Sequence, residues 1–380
     1  MPNLARLKRI VTQHLPALAR VELQKRFPVL YEPLKLKPTV AWLNVTDNCN
    51  MRCIMCNQWR ENKTNELTTD EWKSVIHQLK DVGVRAIGYG GGEPLLRRDL
   101  ADLIRYGKSI GVRSGITTSA YLMTETKAKE LADAGVSNFT ASIDGVGDQY
   151  EVIRGREWAN VERGCEIIAR LNKERGIAAV IAFVLMKPTL EHFEGVKALS
   201  QRLGLPLVIN LIDTTPFLFK LKENKDGNWI YPEDRPGVWK IQESLVEKKS
   251  RDGASAYNSF ADIAFFDDYF KDPLQAKTPC SVSQIRIMIN GHGDVYGGCW
   301  SMGTFGNLRE QSLKEILASD KYRKVHKNMF YKKCPGCSCG YSTNVRYNLP
   351  DAIKEVKFRL LPRSRQSIYR KKEEAPVPVH

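Results

Sequence analysis

Three cysteines stand within eight residues in "NVTDNCNMRCIMCNQW" (Asn44–Trp59): Cys49, Cys53 and Cys56, with three residues between the first pair and two between the second. Thiolates at such spacing hold soft metals. Three are one too few for a structural tetrahedral zinc site, which takes four ligands. They are also one too few for a fully ligated [4Fe–4S] cluster. A cluster held by three thiolates leaves one iron open, and an open iron can bind a second molecule. A second group lies far down the chain: Cys280, Cys299, Cys334, Cys337 and Cys339, the last three in "CPGCSCG". Cys165 stands apart in a helical pattern and is expected to be an inert core thiol. Nine cysteines, eight of them in two groups, fit metal ligation in a reducing compartment better than a disulfide framework.

The elements that must position these thiols alternate. Thr39–Val45 reads as a buried strand, Thr69–Gly83 as a helix with Thr69 as N-cap, Arg85–Gly90 as a strand and Arg98–Gly111 as a helix. Then come strand Arg113–Thr118, helix Thr124–Gly135, strand Asn138–Asp144, helix Trp158–Arg175, strand Ala178–Met186, helix Leu190–Gly204 and strand Pro206–Ile212. Strict alternation predicts an α/β fold with a parallel sheet and helices outside it. Six repeats between Thr39 and Asp213 fall short of eight, so the expected form is a partial, open (β/α)6 barrel with its chemistry at the C-terminal ends of the strands. The cysteine trio directly follows the first strand and so lies in a loop at that mouth. After Asp213 the alternation stops at a polar, Gly/Pro-punctuated connection. A helix over Gly237–Lys249 follows, then the second cysteine region as a small separate α+β domain. The expected division is a basic N-terminal extension over 1–37, the barrel over 38–230, a connecting helical segment over 231–270, the second cysteine domain over 271–347 and a basic tail over 348–380.

A Cys-x3-Cys-x2-Cys loop after the first strand of such a barrel resembles the radical S-adenosylmethionine (radical SAM) superfamily. The resemblance implies that Cys49, Cys53 and Cys56 hold three irons of a [4Fe–4S] cluster and that SAM chelates the fourth through its amino and carboxylate groups. One electron then cleaves SAM into methionine and a 5′-deoxyadenosyl radical, which abstracts hydrogen from a substrate. Two further stretches agree. "GYGGGEPLL" ends the second strand, and its Gly91, Gly92, Glu93 and Pro94 match the family's GGEP motif letter for letter. Glycines let backbone come close to a ligand, and Glu93 offers a carboxylate to the SAM ammonium. "ASIDG" ends the fourth strand and resembles the segment that faces the SAM ribose and carboxylate. That role carries over to Ser142 and Asp144 and, in "EVIRG", to Arg154. The third strand departs from the pattern: many relatives have Thr-Asn-Gly where this chain has "TTSA", with Thr118 and Ser119 as the available hydroxyls. The rival readings of the trio are a zinc knuckle borrowing a distant fourth ligand and three unrelated core thiols.

In the second group, "SQIRIMINGHGDVYGGC" reads as a β-hairpin with Gly-rich turns at Asn290–Gly293, and "NLREQSLKEILASDKYRKV" as one helix leading to the last cysteines. This resembles the C-terminal auxiliary-cluster domains of radical SAM enzymes, of the SPASM and shorter twitch types. The resemblance implies one auxiliary [4Fe–4S] cluster on Cys280, Cys299, Cys334 and Cys337, with Cys339 either replacing Cys337 or standing by. A zinc ribbon is the rival. A fully ligated cluster would relay electrons, with a potential set by its surroundings.

Composition bounds the rest. An apolar share of 42% is that of a globular chain, and the longest apolar run, Ala178–Met186, is too short to span a bilayer. The N-terminus has no apolar segment before a small-residue cleavage site, so no secretory signal is read and a cytoplasmic enzyme is expected. The net charge of +15 is concentrated at the ends: eight Lys/Arg against two acids in residues 1–37, and eight against four in residues 351–374. Such ends suit an anionic neighbour, whether lipid head groups at a membrane's inner face, nucleic acid or an acidic carrier, or are simply solvated. Leu4, Leu7, Ile10, Val11, Leu15 and Leu18 recur at helical spacing between basic residues, either to lie on an anionic membrane or to pack on the barrel. The implied partners are a reductant such as flavodoxin or ferredoxin and an organic substrate: a small metabolite, sugar or lipid. A peptide is the alternative, set lower because no leader-binding domain is read at the N-terminus. Asn210 and Asp213, at the end of the sixth strand, are expected to face that substrate. A non-catalytic iron–sulfur or zinc protein binding nucleic acid is the rival of another class. It leaves Gly91–Pro94 and Asp144 without a job.

Overall fold

The computed structural model describes residues 15–60, 64–212, 227–252, 258–272, 279–334, 349–350 and 353. The described elements run α1 (Leu15–Arg26), β1 (Val40–Thr46), α2 (Thr69–Asp81), β2 (Ala86–Gly91), α3 (Leu100–Ser109), β3 (Arg113–Thr118), α4 (Glu125–Ala134), β4 (Asn138–Ser142) and α5 (Asp148–Arg154). They continue α6 (Trp158–Arg175), β5 (Ala178–Leu185), α7 (Phe193–Leu203), β6 (Leu207–Leu211), α8 (Arg235–Asp252) and α9 (Phe260–Lys271). Last come α10 (Val282–Ile285), β7 (Arg286–Ile289), β8 (Asp294–Tyr296), β9 (Thr304–Asn307), α11 (Leu313–Ala318) and α12 (Asp320–Phe330).

Local chemistry sets these limits. Thr68, one residue before the expected cap, starts α2: its hydroxyl accepts the Glu71 N–H, and the Glu71 carboxylate takes the Thr68 N–H at 2.7 Å. Trp72, Val75, Ile76 and Leu79 then recur every three or four residues and are buried in one core cluster with Ala41, Leu43 and Val45 of β1. Each such side chain contributes roughly 1.5–3 kcal/mol relative to exposure. In α4, Thr124 caps the start and Gly135, at φ 99°, ends the helix in the left-handed conformation that suits glycine.

Among the described residues, nine strands form one sheet in the order β6-β5-β4-β3-β2-β1-β7-β8-β9. The six barrel strands pair in parallel, each with its neighbour in sequence. The barrel does not close. At the β6 edge, the Asn258 amide bonds both Ile209 N–H (2.7 Å) and Ile209 C=O (3.0 Å), occupying groups another strand would need. On the β1 side, β7 pairs in parallel with Val40–Leu43, and β8 turns back from it as the expected hairpin. The C-terminal module is thus joined to the barrel by a continuous sheet. Arg309 also reaches from it to Glu71 of α2 at 2.6 Å.

Two expectations are corrected. The single helix read over Asn307–Val325 is broken into α11 and α12, because the Ser319 hydroxyl accepts the Tyr322 N–H and starts a new helix there. Within the connecting helical segment expected over 231–270, the reading placed one helix, Gly237–Lys249, and gave α9 no bounds of its own; α9 is mostly apolar and buried, so it shows little amphipathic periodicity. Helix α1 packs through Val21 in a cluster with Tyr31, Leu36, Ile285 and Phe330, on the C-terminal module rather than on the barrel helices. Among the described residues no helix is long and apolar enough to cross a membrane.

Candidate active site

Strand β1 delivers the chain into the loop that carries Cys49, Cys53 and Cys56. Two clamps shape this loop. From β2, Gly92 N–H donates to Thr46 C=O (2.8 Å) and Glu93 N–H to Asn48 C=O (2.7 Å). A Cβ at Gly92 would lie 2.1 Å from the Asn48 oxygen, so only glycine fits. Gly91, at φ 116°, is pressed likewise on Thr46. These two glycines let β2 approach the cysteine loop. From α5, Ile153 and Arg154 C=O accept the Ile54 and Arg52 N–H groups at 3.0 and 3.1 Å.

A polar network the sequence reading missed closes the base of the loop. Asp47 accepts from the Gln58 amide and meets His292 Nε2, on the hairpin turn, at 3.1 Å. Glu66 takes the Asp47 N–H at 2.6 Å and the Thr46 hydroxyl at 3.0 Å. Asp47 and His292 are 245 positions apart, and no local motif joins them.

Cys53 is buried, and Cys49 and Cys56 are half-buried. Burial pushes Cys49 up to about 11 and Cys56 up to about 12, and it raises Cys53, where the Arg154 guanidinium offsets part of the effect. As bare thiols they would keep their protons at neutral pH. Ligation to a metal would release them.

The other expected residues fall into two groups. The buried Glu93 carboxylate accepts the Thr118 hydroxyl (2.7 Å) and Leu95 N–H (3.2 Å) on one oxygen, and the Ser119 N–H (2.9 Å) and hydroxyl (2.6 Å) on the other. Thr118 and Ser119 thus hold Glu93 in place from β3, and Pro94 opens the short turn beneath it. In the second group, Arg154 bonds Asp144 through Nε (2.7 Å) and Nη2 (2.6 Å), while its Nη1 lies 3.9 Å from Cys53 Sγ. The second Asp144 oxygen takes the Val184 N–H at 2.7 Å, tying β4 to β5. Asp144 is fully buried, so its reach to the site runs through Arg154. Ser142 lies on the sheet face away from the helices, opposite Ala182, and Asn210 lies exposed on β6.

This donor set suits an iron–sulfur cluster with an amino-acid-bearing ligand: three thiols, a fixed carboxylate and a guanidinium. The Asn50 amide adds buried nitrogen and oxygen atoms without a hydrogen-bond partner in the same loop. Among the described residues no three His, Cys, Asp or Glu side chains are placed to share one metal ion. A cubane makes no such demand, since each thiolate meets a different iron.

In the C-terminal module, Cys280 N–H donates to Phe330 C=O at 3.1 Å, which sets the start of α10 beside the end of α12. Gly298, next to Cys299, is packed against Val282 and Ser283. The segments that carry Cys280 and Cys299 therefore pack together beside the end of α12, and Cys334 follows that end in the chain; Cys337, Cys339 and Asp213 lie outside the described residues. Cys165 is fully buried in α6, as expected of an inert thiol.

Residues 43–199 match the Radical SAM superfamily model, and residues 280–339 match SPASM, an iron–sulfur cluster-binding domain. The chain is 31% identical over 335 residues to the Fe-coproporphyrin III synthase of Methanosarcina barkeri, covering 79% of this chain and 80% of that one. It is 30% identical over 165 residues to the PqqA peptide cyclase of Bradyrhizobium diazoefficiens, which spans only 43% of either chain. In fold it is similar to Streptococcus suis SuiB bound to precursor peptide SuiA, with a TM-score of 0.62 at 17% identity, covering 88% of this chain and 77% of that one.

Proposed function

The chain belongs to the radical SAM superfamily, as an enzyme with a SPASM iron–sulfur domain, and from that premise we propose that it modifies a peptide. When bound, the reduced cluster supplies an electron that cleaves SAM into methionine and a 5′-deoxyadenosyl radical. The protein's part is to hold and orient. We assign the cluster to Cys49, Cys53 and Cys56. Glu93, fixed by Thr118 and Ser119, supplies negative charge for the SAM ammonium, with Gly91, Gly92 and Pro94 shaping that loop. Arg154, oriented by Asp144, sets positive charge against Cys53 and the SAM carboxylate, and Ser142 lines the inner sheet face. We assign one auxiliary cluster to Cys280, Cys299, Cys334 and Cys337 or Cys339.

The observation that carries the substrate class is the inner sheet face. Gly88, Gly90, Thr117, Ser142 and Ala182 leave it small and uncharged beside the mouth, and the Trp42 indole lies over Gly88 and Gly90. Met288, Tyr296 and Trp300 extend that apolar wall. Among the described residues, these side chains offer shape to a neutral chain and carry no charge for a phosphate or sugar acid. The peptide names among the relatives support the same reading and raise it above the small metabolite, sugar or lipid favoured from the sequence. A tetrapyrrole is the second reading, favoured by the long alignment with Fe-coproporphyrin III synthase and by the planar indole wall. Perdeuterated peptides and perdeuterated coproporphyrin separate the two. Deuterium appearing in 5′-deoxyadenosine from the peptides supports the proposal, and deuterium from the porphyrin alone replaces it.

We also propose that the face of α1 turned from the module meets an anionic surface. Leu15 and Leu23 on α1, and Phe27 and Val29 just after it, are exposed beside Arg20 and Arg26. Sedimentation with phosphatidylglycerol vesicles should fall as salt rises; no sedimentation at low salt removes the idea.

A further inference from the structure

We propose that the segment between α1 and β1 is part of the auxiliary-cluster site: the Tyr31 hydroxyl, with that of Ser281, donates a hydrogen bond toward the cluster's sulfurs and raises its reduction potential. The inference rests on the assignment of a [4Fe–4S] cluster to Cys280, Cys299, Cys334 and Cys337 or Cys339. Tyr31 is fully buried, yet its hydroxyl has no hydrogen-bond partner among the described residues. A buried tyrosine hydroxyl normally finds one, because leaving it unpaired costs stability. The placement of Tyr31 is specified by two buried glutamines. The Gln24 amide donates to Tyr31 C=O at 2.9 Å, the Gln284 amide donates to Gln24 Oε1 at 3.2 Å, and Gln284 Oε1 accepts the Leu36 N–H at 2.7 Å. Gln284 lies on α10, four residues after Cys280, so this network ties Tyr31 to the segment that carries the cysteine.

The ring closes the same junction. It lies 5.4 Å from the Phe330 ring and 6.0 Å from the Tyr331 ring, and Phe330 C=O is the acceptor of the Cys280 N–H. Burial raises the Tyr31 hydroxyl well above its ordinary value, and Glu32, Tyr322, Tyr331 and Cys280 add to the rise. The hydroxyl is therefore near enough to Cys280 to feel its charge, and it keeps its proton to donate. Ser281, beside Cys280, is 1% exposed, and its hydroxyl too has no partner among the described residues. By contrast Ser283, two residues on, gives its hydroxyl to Cys280 C=O at 2.7 Å. Ser301, two residues after Cys299, holds a third buried hydroxyl without a partner among the described residues. Unpartnered donors beside both cysteine-bearing segments fit a group that accepts hydrogen bonds from several directions, as the sulfurs of a cubane do. The reduced cluster carries one more electron than the oxidised one, so donors aimed at its sulfurs stabilise it more and raise the potential.

The test is a redox titration of the reconstituted holoenzyme followed by electron paramagnetic resonance, reading the cluster signal that SAM addition leaves unchanged. Tyr31→Phe keeps the ring and removes only the hydroxyl. Its equilibrium constant for one-electron reduction should fall about tenfold, a midpoint about 59 mV more negative, with iron content retained. Ser281→Ala should shift the midpoint the same way. Tyr331→Phe is the control, because that hydroxyl is committed to Gln24 C=O at 2.6 Å, and its midpoint should match the wild type. A hydroxyl that served packing alone would leave the midpoint where it is when removed. Unchanged midpoints in Tyr31→Phe and Ser281→Ala overturn the proposal, as does an equal shift in Tyr331→Phe. If Tyr31→Phe fails to load its second cluster, the midpoint of Ser281→Ala decides by itself. Zinc in place of a second cluster in the wild type removes the cluster assignment, and the proposal falls with it.

Discussion

Glu93 is the residue whose surroundings say most about its work. Four donors converge on its two oxygens, from Leu95, Thr118 and Ser119, so the carboxylate is held in one orientation before any ligand arrives. Glu93→Gln keeps the shape but turns one acceptor into a donor facing donors. SAM affinity, read from the change in cluster absorption on titration, should fall by roughly tenfold or more, on the scale of a charge-assisted hydrogen bond. Cluster content should hold. Equal affinity in the two proteins would remove Glu93 from the SAM site. The Asp144–Arg154 pair makes a different kind of claim. Both groups are buried, so Asp144→Asn leaves a guanidinium without its counter-charge, a change that typically costs about 3–5 kcal/mol. Urea unfolding of the variant should show that loss; unchanged stability would mean Arg154 finds solvent or another acceptor.

At the scale of elements, the site depends on the close meeting of the end of β2 with the cysteine loop. Gly92→Ala would drive a methyl group into Asn48 C=O, 2.1 Å away, and displace the loop. The expected result is reduced iron incorporation at the first site with the fold retained by circular dichroism. Full iron content would show that the loop tolerates the shift. These elements were legible in the sequence where local chemistry writes them: the helix read over roughly Trp158–Arg175 is α6, and the cysteine spacing and Gly91–Pro94 point to the proposed site. What was illegible is non-local or aperiodic. The pairing of β7 with β1 joins positions far apart in the chain, Asp47–His292 has no sequence signature, and α9 buries most of its residues, so its polar stripe is too narrow to set a clear period. Thr118 and Ser119 read as uncertain hydroxyls because their partner, Glu93, sits on another strand.

The whole molecule joins two metal-binding ends through one sheet. The hairpin that carries His292 to the first cysteine loop also leads into Cys299, so the two sites share a scaffold. If each site holds one [4Fe–4S] cluster, Cys280→Ala/Cys299→Ala should lose about half of the iron, on the stoichiometry of one cubane per site, and still cleave SAM. Wild-type protein with one zinc and a single cluster's worth of iron would make the C-terminal module structural. The central claim is that the first loop performs reductive SAM cleavage. It is tested most directly by quantifying 5′-deoxyadenosine from anaerobically reconstituted protein, SAM and dithionite, for the wild type beside Cys53→Ala. 5′-Deoxyadenosine is expected from the wild type and none above background from the variant; release at equal rates from both would contradict that role for the loop.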